Sequence, residues 1–323
     1  MRDAIASTGL NLGNLIVLTE AASGAYGVTP VIAALANARR VYAFTRTTKH
    51  GTVAEVTEWT MALACAAGVA DRISVIETVS SDILKSVHII TNSGHLRPIT
   101  ADTIAQLPPT AVVALMFEAW EFRPGDIDFI ACQQRRIPIV GVNERHPAVD
   151  VFSYLGPLCV KLLHDAGIPV YQSRIALLCD NGFAESMLRS LTGAGASASI
   201  FSSVESLPED RWDAIVVSLQ PSAVPRVNAH QAAHLARVAP TGALVAQFWG
   251  DVDRAALASH GLELWPPAPP RAGHMAILLS AIGPDPIVRL QTGGLRAAEF
   301  IYRGGAAAAD GIAQPVNLAG LSS

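Results

Sequence analysis

The feature that most constrains the fold is an alternation of short, β-branched apolar runs with longer stretches of helical periodicity. In the first half of the chain we predict six strands, Leu15–Leu18, Arg40–Phe44, Ile73–Ile76, Val87–Thr91, Ala111–Phe117 and Ile137–Val140. Helices are predicted between them at Val31–Asn37, Val53–Ala67, Thr100–Gln106 and Phe129–Arg135. This alternation is typical of parallel βαβ units, and it predicts an α/β protein with a doubly wound parallel sheet.

A second, shorter series of the same kind follows an apolar helical stretch, Val149–Ala166. Because 323 residues is about twice the usual length of one domain, two Rossmann-like domains are expected. We place the first, nucleotide-binding domain at 1–146 and the smaller second domain at 169–300. A long interdomain helix at 147–168 joins them, and a C-terminal tail covers 301–323. A short strand, Ala276–Leu279, is also expected.

Composition excludes several classes of protein. Half of the residues are apolar and 15% are charged, which predicts a globular protein, and a net charge of −4 with scattered Lys and Arg argues against nucleic acid as a partner. No apolar run reaches the 18 or so residues of a membrane span, and the first residues lack the pattern of a signal peptide. We therefore expect a cytoplasmic protein that does not bind a membrane.

The segment after the first strand, Glu20–Pro30, leads into a helix at the position where such domains bind a phosphate. Gly24, Tyr26 and Gly27 are the cofactor-binding candidates there, since glycines allow a tight turn and a close approach of the backbone. The full GxGxxG pattern is absent, so a glycine-containing turn without a ligand remains the alternative.

The end of the second strand bears on the choice of cofactor. A domain that binds NAD normally has Asp or Glu there for the ribose, whereas this chain has Thr45–His50. Arg46, Thr47 and Lys49 suit the 2′-phosphate of NADP, because guanidinium groups bind phosphate through paired, charge-assisted hydrogen bonds. A solvated basic turn is the alternative.

The fourth strand ends in a polar segment, where open α/β sheets place the loops that contact a ligand. We expect Asn92, Ser93 and Gly94 to contact the cofactor, and His95 and Arg97 to face the substrate.

The fifth and sixth strands also run into ionisable residues. His146 is the first candidate for proton transfer, because imidazole titrates near neutral pH, and Glu118, Glu121 or Glu144 would orient it. The alternatives are surface or salt-bridge roles for the carboxylates and a helix-entry role for His146.

Arg97 and Arg123 suit a substrate carboxylate, which a guanidinium group binds at two points. His230 and His234 have the spacing of a zinc pair but no third ligand, so no metal is expected.

The second half of the chain remotely resembles the cofactor domain of the D-2-hydroxyacid dehydrogenase and S-adenosylhomocysteine hydrolase superfamily. The resemblance rests on the segments Val149–Ala166, Ile175–Leu191, Val217–Pro221 and Gly242–Arg254. It implies a two-domain, oxidoreductase-like protein. The turn after Cys179 contains one glycine, however, and Ser202 and Ser203 stand where the family has an acid for the ribose. The family's cofactor site is therefore expected to be lost in this half.

These observations favour an enzyme, an NADP-dependent oxidoreductase acting on a small carboxylate-bearing carbonyl, hydroxy or imino compound in the interdomain cleft. One alternative is an S-adenosylmethionine-dependent methyltransferase, since 40–44 and 68–77 resemble the second and third strands of that fold. A non-catalytic ligand-binding protein or subunit is another. The expected partners are a small-molecule substrate and a second copy in a homodimer.

Overall fold

The computed structural model describes residues 1–239, 242–306 and 311–316. The chain forms two compact units, the first made of Met1–Val151 with the segment from Pro284 onward, and the second of Phe152–Gly283. The strands are β1 Ile16–Glu20, β2 Arg40–Phe44, β3 Ile73–Ile76, β4 Ile89–Thr91, β5 Val112–Ala114, β6 Ile139–Val142, β7 Arg174–Cys179, β8 Ser197–Phe201, β9 Ala214–Ser218, β10 Leu244–Trp249, β11 Glu263–Trp265 and β12 Ala313–Pro315. The α-helices are α1 Arg2–Thr8, α2 Thr29–Leu35, α3 Val53–Ala67, α4 Ser81–Ser86, α5 Ala101–Gln106, α6 Phe129–Arg135, α7 Leu155–Asp165, α8 Ala184–Gly193, α9 Ala229–Val238, α10 Arg254–Ser259 and α11 Asp285–Tyr302.

The sheet of the first unit has the strand order β12-β6-β5-β4-β1-β2-β3. Strands β1 to β6 are parallel, and β12 joins the edge of β6 in the antiparallel sense. Apart from β12, this is the 3-2-1-4-5-6 order of the Rossmann fold. The order reverses between β1 and β4, so their carboxyl ends border the topological switch point where such sheets bind ligands.

Local sequence signals set the boundaries of α3. The Thr52 hydroxyl accepts a hydrogen bond from the Glu55 N–H, and the Glu55 carboxylate accepts one from the Thr52 N–H. This capping box starts the helix, and Gly68 ends it in the left-handed conformation at φ 76°. The predicted helix Val53–Ala67 is confirmed.

The helix α11 is absent from the sequence-based prediction, which assigned residues up to 300 to the second domain. Its centre contains Gly293 and Gly294, which lower helix propensity. A Cβ on Gly293 would lie 2.8–2.9 Å from side-chain atoms of Val142 and Val149, and one on Gly294 2.8 Å from the sulfur of Met116. The glycines thus let the helix pack closely against the first sheet, and α11 belongs to the first unit.

The predicted tail at 301–323 also differs from the structure. Residues 313–315 form β12, which pairs with β6, while residues 307–310 and 317–323 lie outside the described part of the chain. An edge strand tolerates Pro315, but a strand this short that contains a proline is not recognised from its sequence pattern.

The second unit is a five-stranded parallel sheet with the order β11-β10-β9-β7-β8. Its switch point lies between β7 and β9. Two apolar clusters fill the faces of this sheet. The two Rossmann-like sheets predicted from sequence are therefore confirmed.

Two predictions at the borders of the second unit are wrong. The interdomain helix expected at 147–168 begins only at Leu155, after a turn in which Asp150 takes a φ of 50°, and α7 packs on α8 within the second unit. Residues 276–278 are not a strand, and Leu279–Ile282 form a 3-10 helix.

The free cysteines Cys132, Cys159 and Cys179 are buried, and Cys65 on α3 is exposed. Among the described residues, no helix has the length and apolar character needed to cross a membrane.

Candidate functional site

The carboxyl ends of β1, β2 and β4 bring three loops together in the first unit. We call the residues at these ends, Thr19–Ser23, Thr45–His50 and Thr91–Arg97, the first edge. A chain of buried hydroxyl groups joins two of the strands, because Thr91 Oγ1 donates to Thr19 Oγ1 at 2.8 Å and lies 2.7 Å from Ser93 Oγ. The loops after β1 and β4 are thereby held together.

Asn92 is the most unusual residue of the first edge. Its side chain is fully buried, yet neither Oδ1 nor Nδ2 has a hydrogen-bond partner within the described residues. The buried Thr45 hydroxyl at the end of β2 is in the same condition. A buried polar group without a partner costs about 1–3 kcal/mol, and such groups are rare in folded proteins. The edge therefore retains hydrogen-bonding capacity that the folded chain does not use.

Glu20, the last residue of β1, is a site residue that sequence analysis did not select. Its carboxylate accepts a hydrogen bond from the His95 N–H at 3.2 Å. A Cβ on Gly94 would lie 1.6 Å from Glu20 Oε2, so the loop fits this carboxyl only because residue 94 is glycine. Burial raises the pKa of Glu20, and the His95 N–H and Arg97 oppose that rise in part.

Positive charge collects beside this carboxyl. Burial lowers the pKa of His95, and the nearby charges of Arg46 and His50 lower it further. Arg46, Thr47 and Lys49 lie on the turn after β2, and Ser23 Oγ donates to the His50 carbonyl at 3.1 Å, which ties this turn to the loop after β1. The predicted basic segment thus lies close to the predicted His95, with the charges it would need to bind an anion.

The predicted phosphate-binding turn has structural reasons for its glycines. Gly24–Val28 form a 3-10 helix that precedes α2, and Gly24 has a φ of 63°. A Cβ on Gly27 would lie 2.4 Å from the Ala22 carbonyl oxygen and 3.2 Å from the ring of Trp59. Both glycines are therefore required by the turn itself. Tyr26, between them, is half-buried.

Arg97 supports the loop on which Asn92 lies. Its Nε and Nη2 donate to the Asn92 carbonyl at 3.2 and 2.9 Å, and Nε is 3.6 Å from Asp126 Oδ2. The guanidinium carbons of Arg97 and Arg123 lie 5.8 and 6.0 Å from the ring centroid of Phe117. Arg97 is thus engaged within the protein, whereas Arg123 is exposed.

The ends of β5 and β6 bring together the three carboxyl groups of Glu118, Glu121 and Glu144. The Glu118 carboxylate accepts hydrogen bonds from the Glu144 N–H at 3.2 Å and from the indole of Trp120. Burial raises the pKa of Glu121 to about 7; Arg123 opposes that rise and Glu118 adds to it. Burial, Glu121 and Glu118 raise the pKa of Glu144 well above its usual range. Glu121 therefore titrates near neutral pH, and burial favours the protonated form of Glu144.

His146 lies in the turn that follows β6. Its Nδ1 accepts a hydrogen bond from the Ala148 N–H at 3.2 Å, and its carbonyl accepts from Val149 and Asp150. The ring thus stabilises its own turn. Glu118, expected to orient His146, instead accepts from Trp120 and the Glu144 backbone.

Other predicted groups show no metal chemistry. The ring nitrogens of His234 contact Arg237 Nη2 at 2.6 Å and the Leu207 carbonyl at 3.4 Å. In the ranges that the structure describes, no group of three or more His, Cys, Asp or Glu residues could hold a metal ion.

The carboxyl edge of the second sheet is filled by its own side chains. The Asp180 carboxylate accepts from the Gln220 N–H at 2.8 Å and pairs with Arg226 at 2.8 Å. Asn181 Nδ2 donates to the Ser218 carbonyl at 2.7 Å, and Asn181 Oδ1 accepts from the Phe183 N–H. We call Asp180–Phe183 with Ser218–Gln220 the second edge.

Aromatic packing closes the start of α8 at the second edge. Phe183 stacks on Trp249 with centroids 5.0 Å apart, and it contacts Phe152 and Phe248 edge-on. A dinucleotide needs glycines there for its pyrophosphate to approach the backbone. The second edge has one glycine, Gly182, and the packed Phe183 ring directly follows it.

No protein-family model and no curated protein matches the chain, but solved structures do. A dipicolinate synthase chain from Bacillus halodurans is 11% identical, with 91% of this chain and 98% of that chain covered at a TM-score of 0.54. The pyruvate reductase of Chlamydomonas reinhardtii is 11% identical, with 91% and 98% covered at a TM-score of 0.55. The NAD⁺-bound 3-phosphoglycerate dehydrogenase of Entamoeba histolytica is 8% identical, with 90% and 97% covered at 0.50. The chain therefore has the two-unit Rossmann-type fold of the D-2-hydroxyacid-type dehydrogenases, to which it is remotely similar.

Proposed function

We propose that the protein is an NADP-dependent oxidoreductase that binds its cofactor at the first edge and acts on a small carboxylate-bearing carbonyl, hydroxy or imino compound. The observation that carries the proposal is the buried Asn92 side chain, whose two polar atoms lack partners at the switch point of a Rossmann-type sheet. Known proteins with similar folds include a pyruvate reductase and a dehydrogenase with bound NAD⁺, which supports a nicotinamide cofactor.

The residues of the first edge fit the parts of this cofactor. Arg46 and Lys49 would hold the 2′-phosphate, with the Thr47 hydroxyl beside them. The backbone at Gly24–Gly27 would face the pyrophosphate, and Asn92, Ser93 and Gly94 would contact the part nearest the substrate. When bound, the cofactor supplies or accepts a hydride.

The exposed guanidinium of Arg123 is the candidate for the substrate carboxylate, since Arg97 already donates twice to the Asn92 carbonyl. In the carboxyl cluster beside it, the raised pKa values of Glu121 and Glu144 favour their protonated forms. In this proposal His146 is a second candidate for proton transfer, because its turn uses Nδ1, and not Nε2, as a hydrogen-bond acceptor.

Cofactor binding tests the proposal directly. Calorimetric titration of the protein with NADPH, NADH and S-adenosylmethionine should show binding of NADPH and weaker binding of NADH. Replacing Arg46 with alanine should weaken NADPH binding by about 10-fold to 100-fold, because a hydrogen bond to a charged group contributes about 1.5–3 kcal/mol. NADH binding should stay the same.

Arg39→Ala is the matched control, because Arg39 and Arg46 flank the two ends of β2 and Arg39 is also exposed. Equal loss of NADPH affinity in both variants would contradict the assignment of the phosphate site. Binding of S-adenosylmethionine alone would replace the oxidoreductase with the methyltransferase. Binding of none of the three compounds would favour the non-catalytic alternative.

A further inference from the structure

Glu20 is a carboxyl group that the first edge is shaped to hold. The adjacent loop gives it one N–H donor, that of His95 at 3.2 Å, and leaves it space at Gly94, where any Cβ would overlap its Oε2. As a whole residue, Glu20 is partly buried. It lies at the end of β1, next to the switch point that also contains Asn92.

Burial favours the protonated form of Glu20, and the hydrogen-bonding and charged groups around it oppose this effect in part. On the loop after β4, Arg97 is the positive charge that acts on it, and Arg97 is itself paired with Asp126. On β2 its register partner is the uncharged Phe44, and the charges of Arg46 and His50 act on His95. Burial outweighs the His95 N–H and Arg97 and raises the pKa of Glu20 above its usual value, which favours the protonated form that can act as an acid.

We infer that Glu20 exchanges a proton with the reacting oxygen or nitrogen of the substrate, an inference that rests on the proposed function. In the reducing direction, the carbonyl carbon receives a hydride, with its electron pair, from the reduced cofactor, which becomes oxidised. The carbonyl oxygen takes the proton of the Glu20 carboxyl and becomes a hydroxyl. The Glu20 carboxylate that remains regains a proton from water.

Asn92 complements this role. Its unpartnered amide provides a donor and an acceptor at the same edge.

Oxamate, a small carboxylate with an amide carbonyl, is a probe for this group. We would titrate it by calorimetry into the NADPH-loaded protein between pH 5 and pH 9. The carbonyl oxygen accepts a hydrogen bond only from protonated Glu20, so the affinity of the parent should fall about tenfold per pH unit above the pKa of this residue. Glu20→Gln should bind oxamate with little pH dependence, because an amide donates at every pH.

Glu77→Gln is the control, since Glu77 is an exposed residue just after β3, which is separated from β1 by β2, and it should follow the parent profile. Glu20→Asp, which keeps the carboxyl, should keep the pH dependence if Glu20→Gln folds poorly. An identical pH profile in the parent and Glu20→Gln, or no binding of oxamate to the loaded parent, would overturn the role of Glu20. Failure of NADPH to bind the parent, measured beforehand, would instead overturn the proposed function and this inference with it.

Discussion

Asn92 at the first edge and Asn181 at the second edge show how differently two similar sheets treat the same residue type. Asn92 is fully buried with both amide atoms unpaired. Asn181 donates to the Ser218 carbonyl and accepts from the Phe183 N–H. The Asn181 amide is thus used within the second edge, where the buried Ser218 hydroxyl is the group without a partner, whereas at the first edge the Asn92 amide itself has none among the described residues. Both units have a switch point, so topology alone does not identify the binding site.

The largest expected effect comes from removing the Phe183 ring at the second edge. Phe183→Ala should lower the free energy of unfolding by about 3–5 kcal/mol, because the ring packs among Phe152, Phe248 and Trp249. Chemical denaturation would measure the loss. Val224→Ala, at a residue 64% exposed in the same unit, should change stability by less than about 0.5 kcal/mol. A gain of NADPH affinity in Phe183→Ala would break the comparison, since it would show a nucleotide site beneath the aromatic packing.

The pH dependence of stability should have opposite signs for carboxyl groups in the two units. Burial raises the pKa of Glu121 to about 7, so the folded state binds more protons than the unfolded state above about pH 4.5. Its stabilising contribution is complete below that pH and is lost as pH rises to 7 and beyond. In Glu121→Gln, the loss of unfolding free energy with rising pH should be smaller by up to about 3 kcal/mol. Denaturation curves between pH 5 and 8 would show it.

Asp180 behaves in the opposite way. Burial alone would raise its pKa, but the Gln220 N–H and Arg226 outweigh burial and lower it. Its contribution is present above the ordinary aspartate pKa and is lost as pH falls through the lowered value. Asp180→Asn should therefore reduce the loss of stability at acid pH. For Glu121→Gln, an unchanged pH dependence of stability near neutral pH would contradict the raised pKa of Glu121.

The smallest effects come from the two asparagines. Asn92→Leu should leave the unliganded protein unchanged or more stable by about 1–2 kcal/mol, because it removes a buried amide without partners. Asn181→Leu should destabilise it by about 1–3 kcal/mol, since it leaves two backbone groups unpaired. Thermal melts with and without NADPH would separate the two, and Asn92→Leu alone should lose the shift caused by the cofactor. Equal destabilisation by both variants would show that Asn92 has a partner in solution.

The sheets were predictable because buried parallel strands read as continuous apolar runs, and the predicted strand Arg40–Phe44 matches the structure at both ends. The strand expected at 111–117 ends at Ala114, because Met116 takes a φ of 68°, which no apolar pattern reveals. The helix α11 was missed because a glycine pair reads as a break, although here it permits close packing.

The site was only partly predictable. The polar loop after β4 and the basic turn after β2 follow from their positions at strand ends. The unusual state of Asn92 depends on burial and missing partners, and that of Glu20 depends on the space at Gly94, so neither is visible in the order of residues. The pairing of Asp180 with Arg226 spans 46 positions of the chain and carries no local signal.

The first unit is discontinuous in sequence, and this has a consequence for synthesis on the ribosome. The second unit, residues 152–283, is contiguous and can fold as soon as it has left the exit tunnel. The first unit begins earlier but lacks α11 and β12 until the final part of the chain emerges. The nascent chain therefore carries an incomplete six-stranded sheet, with the β5 and β6 surface that α11 later covers still exposed, for as long as translation of the inserted unit takes.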